Sequence, residues 1–289
     1  MIKKAVVLCG GLATRFLPYC KSIPKEMLPV IDKPLIQEIV EDLVDAGIQD
    51  ILIIIGRNKE CLVNHFDRNV ELEDRLTARG KTKELEVIKR TENLANITFK
   101  RQIVPRGTGH AVAMAKEWTN GEPFLMCFGD EMFVSKGKNA YKQILDEYDK
   151  HGNFVIATTE VEPSQVSLYG IVARHEDSKY YQIDRFVEKP SLQDAPSNIA
   201  NAGPAVLDDR IFGYIDRCPE VNFEISITDA YNYAIEDGIM YGRMIDALHL
   251  DLGNKAGFVK SNIFMAMQNK ELRQDIIDFV EKCKNELDK

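Results

Sequence analysis

The chain of 289 residues predicts an α/β fold, a mainly parallel sheet with helices on both faces. Three observations predict it. Apolar runs of strand length recur between Ala5 and Val161, and segments with the 3.6-residue apolar period of a helix separate them. The runs Ile51–Ile55 and Phe124–Phe128 are apolar without alternation, as in strands covered on both faces.

The first strand is expected at Ala5–Leu8 and is stopped by Gly10 and Gly11. Leu35–Ala46 has helical periodicity, and Ile51–Ile55 is the second strand. Ile97–Gln102 reads as a third, followed by a loop and a helix over His110–Trp118. Phe124–Phe128 is the next strand and ends in the turn Gly129-Asp130-Glu131, and Phe154–Val161 follows. Beyond Val161 the pieces shorten to Tyr169–Ala173, Ile183–Glu188 and the segment 198–207, which reads as a smaller mixed-sheet extension. From Gln268 onward, charged residues alternate with Leu272, Ile276, Ile277, Phe279, Val280 and Leu287. This is an amphipathic helix that packs back on the domain or meets another subunit. The resulting organisation is one domain over residues 1–266, with a first part of about 1–161 and a second of about 162–266, and a helix over 267–289.

Against 37 basic residues stand 45 acidic ones, a net charge of −8 that repels a nucleic-acid backbone. The basic residues that matter are local, at Arg15 to Lys25 and at Lys189, which suits a small phosphorylated ligand. The six cysteines form no CxxC pair and read as reduced. No apolar stretch approaches the roughly 20 residues that span a bilayer, and no signal-peptide pattern opens the chain. A cytoplasmic protein with no nucleic-acid and no membrane partner is expected.

Gly10 and Gly11 follow a buried-type strand and let backbone N–H groups approach an anion without interference from a Cβ. Arg15 and Lys25 then add side-chain charge. The loop fits neither the GxxxxGK[ST] pattern nor the GxGxxG dinucleotide fingerprint, which disfavours an ordinary P-loop NTPase and a dehydrogenase. Asp130 lies just beyond Phe124–Phe128, and Asp251 precedes a glycine in Leu250-Asp251-Leu252-Gly253. Two such acids near a cationic loop suit a divalent ion, which takes one or two carboxylates plus phosphate oxygens. Either alone would read as a plain turn. Glu188-Lys189-Pro190 ends a strand, and the proline forces an exit that can bring both side chains into one crevice. Gln102 can offer an acceptor and a donor to a pyrimidine edge, and Gly107 lets backbone come close to a flat base. His110, with no cysteine or histidine spaced for metal ligation, reads as structural.

Together the segments Thr14-Arg15-Phe16-Leu17-Pro18, Ile23-Pro24-Lys25-Glu26-Met27-Leu28-Pro29, Asp32-Lys33-Pro34-Leu35-Ile36-Gln37, Gly109-His110-Ala111-Val112, Tyr169-Gly170-Ile171-Val172, Val187-Glu188-Lys189-Pro190 and Thr228-Asp229-Ala230 resemble the sugar-1-phosphate nucleotidylyltransferases. Within that family they are most similar to bacterial members that join UTP to glucose 1-phosphate, and the likeness runs from Ala5 to about Ala266. It implies a Rossmann-like, glycosyltransferase-A-like nucleotidyltransferase fold, with residues 1–161 binding nucleotide and 162–266 binding sugar. It implies Mg²⁺ as cofactor, a homo-oligomer (dimer or tetramer), and UTP and glucose 1-phosphate as substrates, giving UDP-glucose and pyrophosphate.

By the same resemblance, Gly10, Gly11 and Ala13 form the nucleotide loop, and Gly11, Arg15 and Lys25 hold the triphosphate. Gln102 and Gly107 read uracil, and Asp130 with Asp251 binds the metal. Glu131, Gly170 and Glu188 line the sugar site, and Lys189 meets the sugar phosphate. Arg15, Lys25 and Lys189 are the expected catalytic cations.

Three positions depart from the family pattern. Ala13 stands where glycine is usual, and a left-handed backbone there would lower nucleotide affinity. Glu131 replaces an aspartate and reaches one methylene further. Leu252 stands where cysteine or threonine is common, a change expected to be tolerated. The first two leave open another nucleotide (dTTP or CTP), another hexose 1-phosphate, or a regulator that binds nucleotide-sugar without turnover.

Overall fold

The computed structural model describes residues 1–174 and 179–287. In chain order its strands are β1 (Lys4–Cys9), β2 (Pro29–Val30), β3 (Lys33–Pro34), β4 (Asp50–Ile55), β5 (Asn96–Arg101), β6 (Phe124–Phe128), β7 (Glu131–Val134), β8 (Phe154–Glu160), β9 (Gly170–Arg174), β10 (Tyr180–Glu188), β11 (Ile199–Leu207), β12 (Met240–Met244) and β13 (Leu248–Asp251). The helices are α1 (Leu35–Asp45), α2 (Glu60–Phe66), α3 (Val70–Ala78), α4 (Thr82–Glu92), α5 (Gly107–Ala113), α6 (Lys116–Thr119), α7 (Ala140–His151), α8 (Arg210–Ile215), α9 (Ile227–Glu236), α10 (Lys255–Gln268) and α11 (Arg273–Leu287).

Among the described residues, nine strands form one sheet in the order β5-β4-β1-β6-β11-β8-β12-β10-β9. The first four run parallel, and β8 and β12 are parallel neighbours. Only β10 and β11 run against the rest, so the sheet is mixed but mainly parallel in strand direction. The later strands continue this sheet, because β11 inserts between β6 and β8.

The alternation along β1 explains the layering. Ala5, Val7 and Cys9 enter one core with Ile36, Ile39, Val40 and Leu43 of α1 and Tyr141, Ile144 and Leu145 of α7. Val6 and Leu8 enter the opposite core with Ala111 and Val112 of α5 and Ile227, Ala230, Tyr231 and Ala234 of α9. A strand buried on both faces has no polar side to display, which is why the run reads as continuously apolar.

The helix expected over His110–Trp118 begins earlier, at Gly107, and breaks after Ala113. There the Ala115 N–H bonds back three residues to the Val112 carbonyl (2.9 Å), tightening the turn before α6. The expected C-terminal helix is α11, which starts at Arg273, and a further helix, α10, precedes it. Phe258, Phe264 and Met265 of α10 pack on the core, whereas α11 half-buries Ile276 and Ile277 and leaves Phe279 and Val280 exposed. No helix among the described residues is long and apolar enough to cross a membrane.

Candidate active site

The carboxyl ends of β1, β4, β5 and β6 open onto one side of the sheet, where ligands of such folds bind. A cavity of about 510 Å³ there is walled by the loop after β1 (Gly10, Gly11, Leu12, Ala13, Thr14), by Lys25, Gln102, Gly107 and Asp130, and by Glu224, Ile225 and Ser226 before α9. It brings together seven of the residues expected from sequence: Gly10, Gly11, Ala13, Lys25, Gln102, Gly107 and Asp130. Arg15 follows the same loop but is exposed outside this wall. It makes no ion pair among the described residues.

Ala13 does take the left-handed conformation, at φ 53° and ψ 38°. An L-residue with a Cβ is strained there by roughly 1–2 kcal/mol. Ala13→Gly should therefore stabilise the fold by roughly 0.5–1 kcal/mol, the strain relieved less the extra freedom of the unfolded glycine. Urea unfolding checks it, and a lower midpoint would mean that the loop carries no such strain. Gly107 has no alternative: at φ +83° a Cβ would meet the Ile225 carbonyl oxygen at 2.6 Å.

Lys25 and Asp130 form the centre of the cavity floor, with Nζ to Oδ2 at 2.5 Å and both side chains largely buried. Burial works against the Lys25 ammonium, but the Asp130 and Glu26 carboxylates outweigh it and hold its pKa above the ordinary lysine value. Asp251 approaches Asp130 from a distant part of the chain. Its strand β13 pairs with β7 in a small separate sheet, with Asp251 opposite Glu131, and the Leu252 N–H donates to the Asp130 carbonyl (3.1 Å). A Cβ on Gly253 would lie 2.8 Å from Asp130 Oδ2 and 2.8 Å from Asp251 Oδ1, so both carboxylates converge on that glycine. Asp251 is fixed by the Gly253 N–H (2.7 Å) and by Asn254 Nδ2 (3.0 Å), the residue that caps α10. Leu252 is fully buried, as an apolar residue at that position should be.

Glu131 is placed beside the two aspartates with its carboxyl group packed against Gly203, where a Cβ would find no room. Its Oε2 is closed off from solvent and has no hydrogen-bond partner among the described residues. Burial, then the Asp130 and Asp251 charges, push its pKa well above the usual carboxylate range, with Lys25 opposing. No group of three or more His, Cys, Asp or Glu side chains among the described residues is arranged to hold a metal. The two converging aspartates fit a hard divalent ion, which takes one or two carboxylates and fills its remaining positions with substrate oxygens and water.

Gly170, Glu188 and Lys189 form a second group. Glu188 Oε2 accepts from Thr228 Oγ1 (3.4 Å) in the first turn of α9, two residues from Ser226 on the cavity wall. Lys189 leaves the strand as its proline demands. It adopts φ 43°, donates its N–H to the Tyr169 carbonyl (3.0 Å) and keeps Nζ 3.6 Å from Glu188 Oε1. A Cβ on Gly170 would strike the Phe186 ring at 2.5 Å, so only glycine fits against that strand.

Sequence reasoning missed two elements. Lys59, after β4, bonds both oxygens of Glu26 (2.8 and 2.9 Å) in a buried pair, and His110 bonds Gln102. A lysine just past the carboxyl end of an apolar strand was the available signal for the first.

A parallel-sheet cleft that sets a glycine loop and a lysine against converging aspartates defines a nucleotide-binding phosphotransfer site, and the chain belongs to the nucleotidyl transferase family, whose model matches residues 4–268. It is 39% identical over 282 residues to the UTP–glucose-1-phosphate uridylyltransferase of Bacillus subtilis, covering 97% of this chain and 96% of that one. Its fold matches a UTP-bound UGPase from Acinetobacter baumannii with a TM-score of 0.91 at 32% identity, over 97% of this chain and 99% of that one. It also matches a UDP-glucose pyrophosphorylase complexed with UDP-glucose, at TM-score 0.85 and 32% identity over 93% and 100% of the two chains. Nucleotidyltransferases of this kind generally use a divalent metal.

Proposed function

We propose that the protein transfers the uridylyl group of UTP to glucose 1-phosphate, forming UDP-glucose and releasing pyrophosphate. The observation that carries this reading is the Lys25–Asp130 pair on the floor of a cavity whose far wall holds Gln102 and Gly107. Relatives along nearly the whole chain bear the name of this activity.

The physical obstacle is the meeting of two anions, since each pair of unit charges about 4 Å apart repels by about 4 kcal/mol at an effective dielectric of 20. Lys25, Arg15 and the N–H groups of the Gly10–Ala13 loop would hold the triphosphate, and Gln102 with Gly107 the base. Gly170, Glu188 and Glu131 would line the sugar site, with Lys189 on its phosphate. Residues 1–161 would thus bind nucleotide and 162–266 sugar, with Asp251 lent back across the division. Mg²⁺ would be held by Asp130 and Asp251, and bound there it supplies positive charge to the phosphate oxygens. A sugar-phosphate oxygen then attacks the α-phosphorus in line with the departing pyrophosphate, so positioning and charge carry the rate. No nucleophilic side chain of the enzyme is required. Free cysteines throughout suit a reducing, cytoplasmic setting, and the exposed Phe279 and Val280 on α11 suit a homo-oligomer.

Pyrophosphate release across a panel of UTP, dTTP, CTP and several hexose 1-phosphates tests the reading. UTP with glucose 1-phosphate should give the highest kcat/KM, and binding without turnover in every pair would leave a regulator. Lys189→Ala should raise KM for glucose 1-phosphate roughly 10- to 100-fold, the worth of a charge-assisted hydrogen bond, and leave KM for UTP nearly unchanged. Equal effects on both substrates would remove Lys189 from the sugar phosphate.

A further inference from the structure

Gln102 is held at both ends. Its backbone N–H donates to the Ile55 carbonyl (2.8 Å), and the residue is only 4% exposed. Its side-chain Nε2 lies 3.3 Å from the Gly107 carbonyl oxygen and 2.8 Å from His110 Nδ1. The Gly107 oxygen can only accept, so the amide atom facing it is the nitrogen, and the second N–H points at His110. Nδ1 must then carry a lone pair, with the imidazole proton on Nε2. Burial, helped by Arg106 and opposed by Glu220, keeps the His110 pKa below the ordinary histidine value, which favours the neutral ring. The ring stands behind Gln102 and off the cavity wall. Its backbone is braced from the other side, where the Gly109 N–H donates to the Ile225 carbonyl (2.8 Å) and Ile225 returns a bond to the Arg106 carbonyl (2.8 Å).

With both N–H groups committed, the Gln102 side chain has only Oε1 left to offer. That oxygen makes no hydrogen bond among the described residues and lies 3.0 Å from where a Cβ on Gly10 would be, at the cavity wall. The sequence suggested an acceptor and a donor for the base, but the structure leaves the acceptor alone.

We propose that His110 is a positioning residue that locks the Gln102 amide with its acceptor toward the nucleotide, so that the site selects a pyrimidine bearing an N3–H, uracil or thymine, and rejects cytosine, whose N3 is itself an acceptor. This rests on the reading that Gln102 faces the base. Two lone pairs set against each other in a desolvated site leave both unsatisfied, the situation in which polar discrimination is largest.

The test is the ratio of kcat/KM for UTP over CTP in the full-length enzyme with metal and glucose 1-phosphate. His110→Phe keeps a ring but removes the lone pair, which leaves the amide held by the longer Gly107 bond alone, and the ratio should fall at least about tenfold. His110→Asn places a carbonyl oxygen where Nδ1 was and should keep the ratio within about threefold of the unmodified enzyme, a rescue that a purely structural role does not predict. His110→Leu carries the same comparison where the Phe variant fails to fold. An unchanged ratio in a folded Phe or Leu variant overturns the proposal, and so does loss of the ratio in a folded Asn variant. Gln102→Leu is measured alongside. If it leaves both UTP and CTP kinetics untouched, the base-site reading itself has failed; if it raises KM for UTP while His110→Phe changes nothing, only the role of His110 is lost.

Discussion

Asp130→Asn should reduce turnover by on the order of a thousand-fold, the scale at which removing one preorganised charge from a transition state is felt. The substitution keeps the shape of the side chain and removes its charge, so the loop after β6 should hold its course. Two things are lost together. On the proposed reading the metal loses one of the two carboxylates that converge on Gly253, and Lys25 loses the partner that holds its Nζ at 2.5 Å. KM for UTP should rise less than kcat falls, because the Gly10–Ala13 loop and Gln102 remain to bind the nucleotide. Pyrophosphate release at saturating substrates measures this, and a rate within a few-fold of the unmodified enzyme would place the metal elsewhere.

Lys59→Met should be the most destabilising single change near the site, at about 3–5 kcal/mol, because removing one member of a buried pair strands the other charge. Glu26 is fully buried and Lys59 is 6% exposed, and each carboxylate oxygen is bonded to the ammonium. Burial raises the Glu26 pKa, with Lys59 and then Lys25 pulling it down. Without Lys59 it rises further, which fixes the sign of the pH effect. Below the unfolded value of about 4.3 the carboxyl is protonated in both states and costs nothing. Above the unmodified protein's own raised folded value its Glu26 releases the proton and the variant's does not, so the deficit grows with pH until the variant's group also ionises. Urea unfolding at pH 5 and pH 8 should show the smaller deficit at pH 5, and Glu26→Gln added to Lys59→Met should recover part of the loss. A deficit independent of pH would mean that Glu26 is not the stranded charge.

How much of this was legible in the sequence depends on how local each feature is. The loop that walls the cavity could be read directly, because Gly10, Gly11 and Lys25 lie within one short segment after a buried strand. The strands on both sides of it were legible for the same reason, since a run with no polar face has to be covered twice. Asp130 and Asp251 were each recognisable as acids beyond strand ends, but their meeting depends on the β7–β13 register, which no local pattern encodes. Lys59 and Glu26 look like ordinary surface residues in sequence and are buried only by the tertiary packing. His110 reads as a plain helix residue, and its bond to Gln102 exists because Gly107 turns the chain back at positive φ, folding the loop onto itself. The start of α11 was blurred because α10 runs into it with no glycine or proline between them.

The central claim is that UTP and the sugar phosphate react directly with one another, with no nucleotide held covalently by the protein. Its sharpest test is stereochemical, using UTP in which sulfur replaces one non-bridging oxygen of the α-phosphate and determining the configuration at phosphorus in the nucleotide-sugar formed. A single in-line displacement inverts that centre, and inversion is the expected result. Retention would mean two displacements and an enzyme-bound uridylyl group, and would contradict the account.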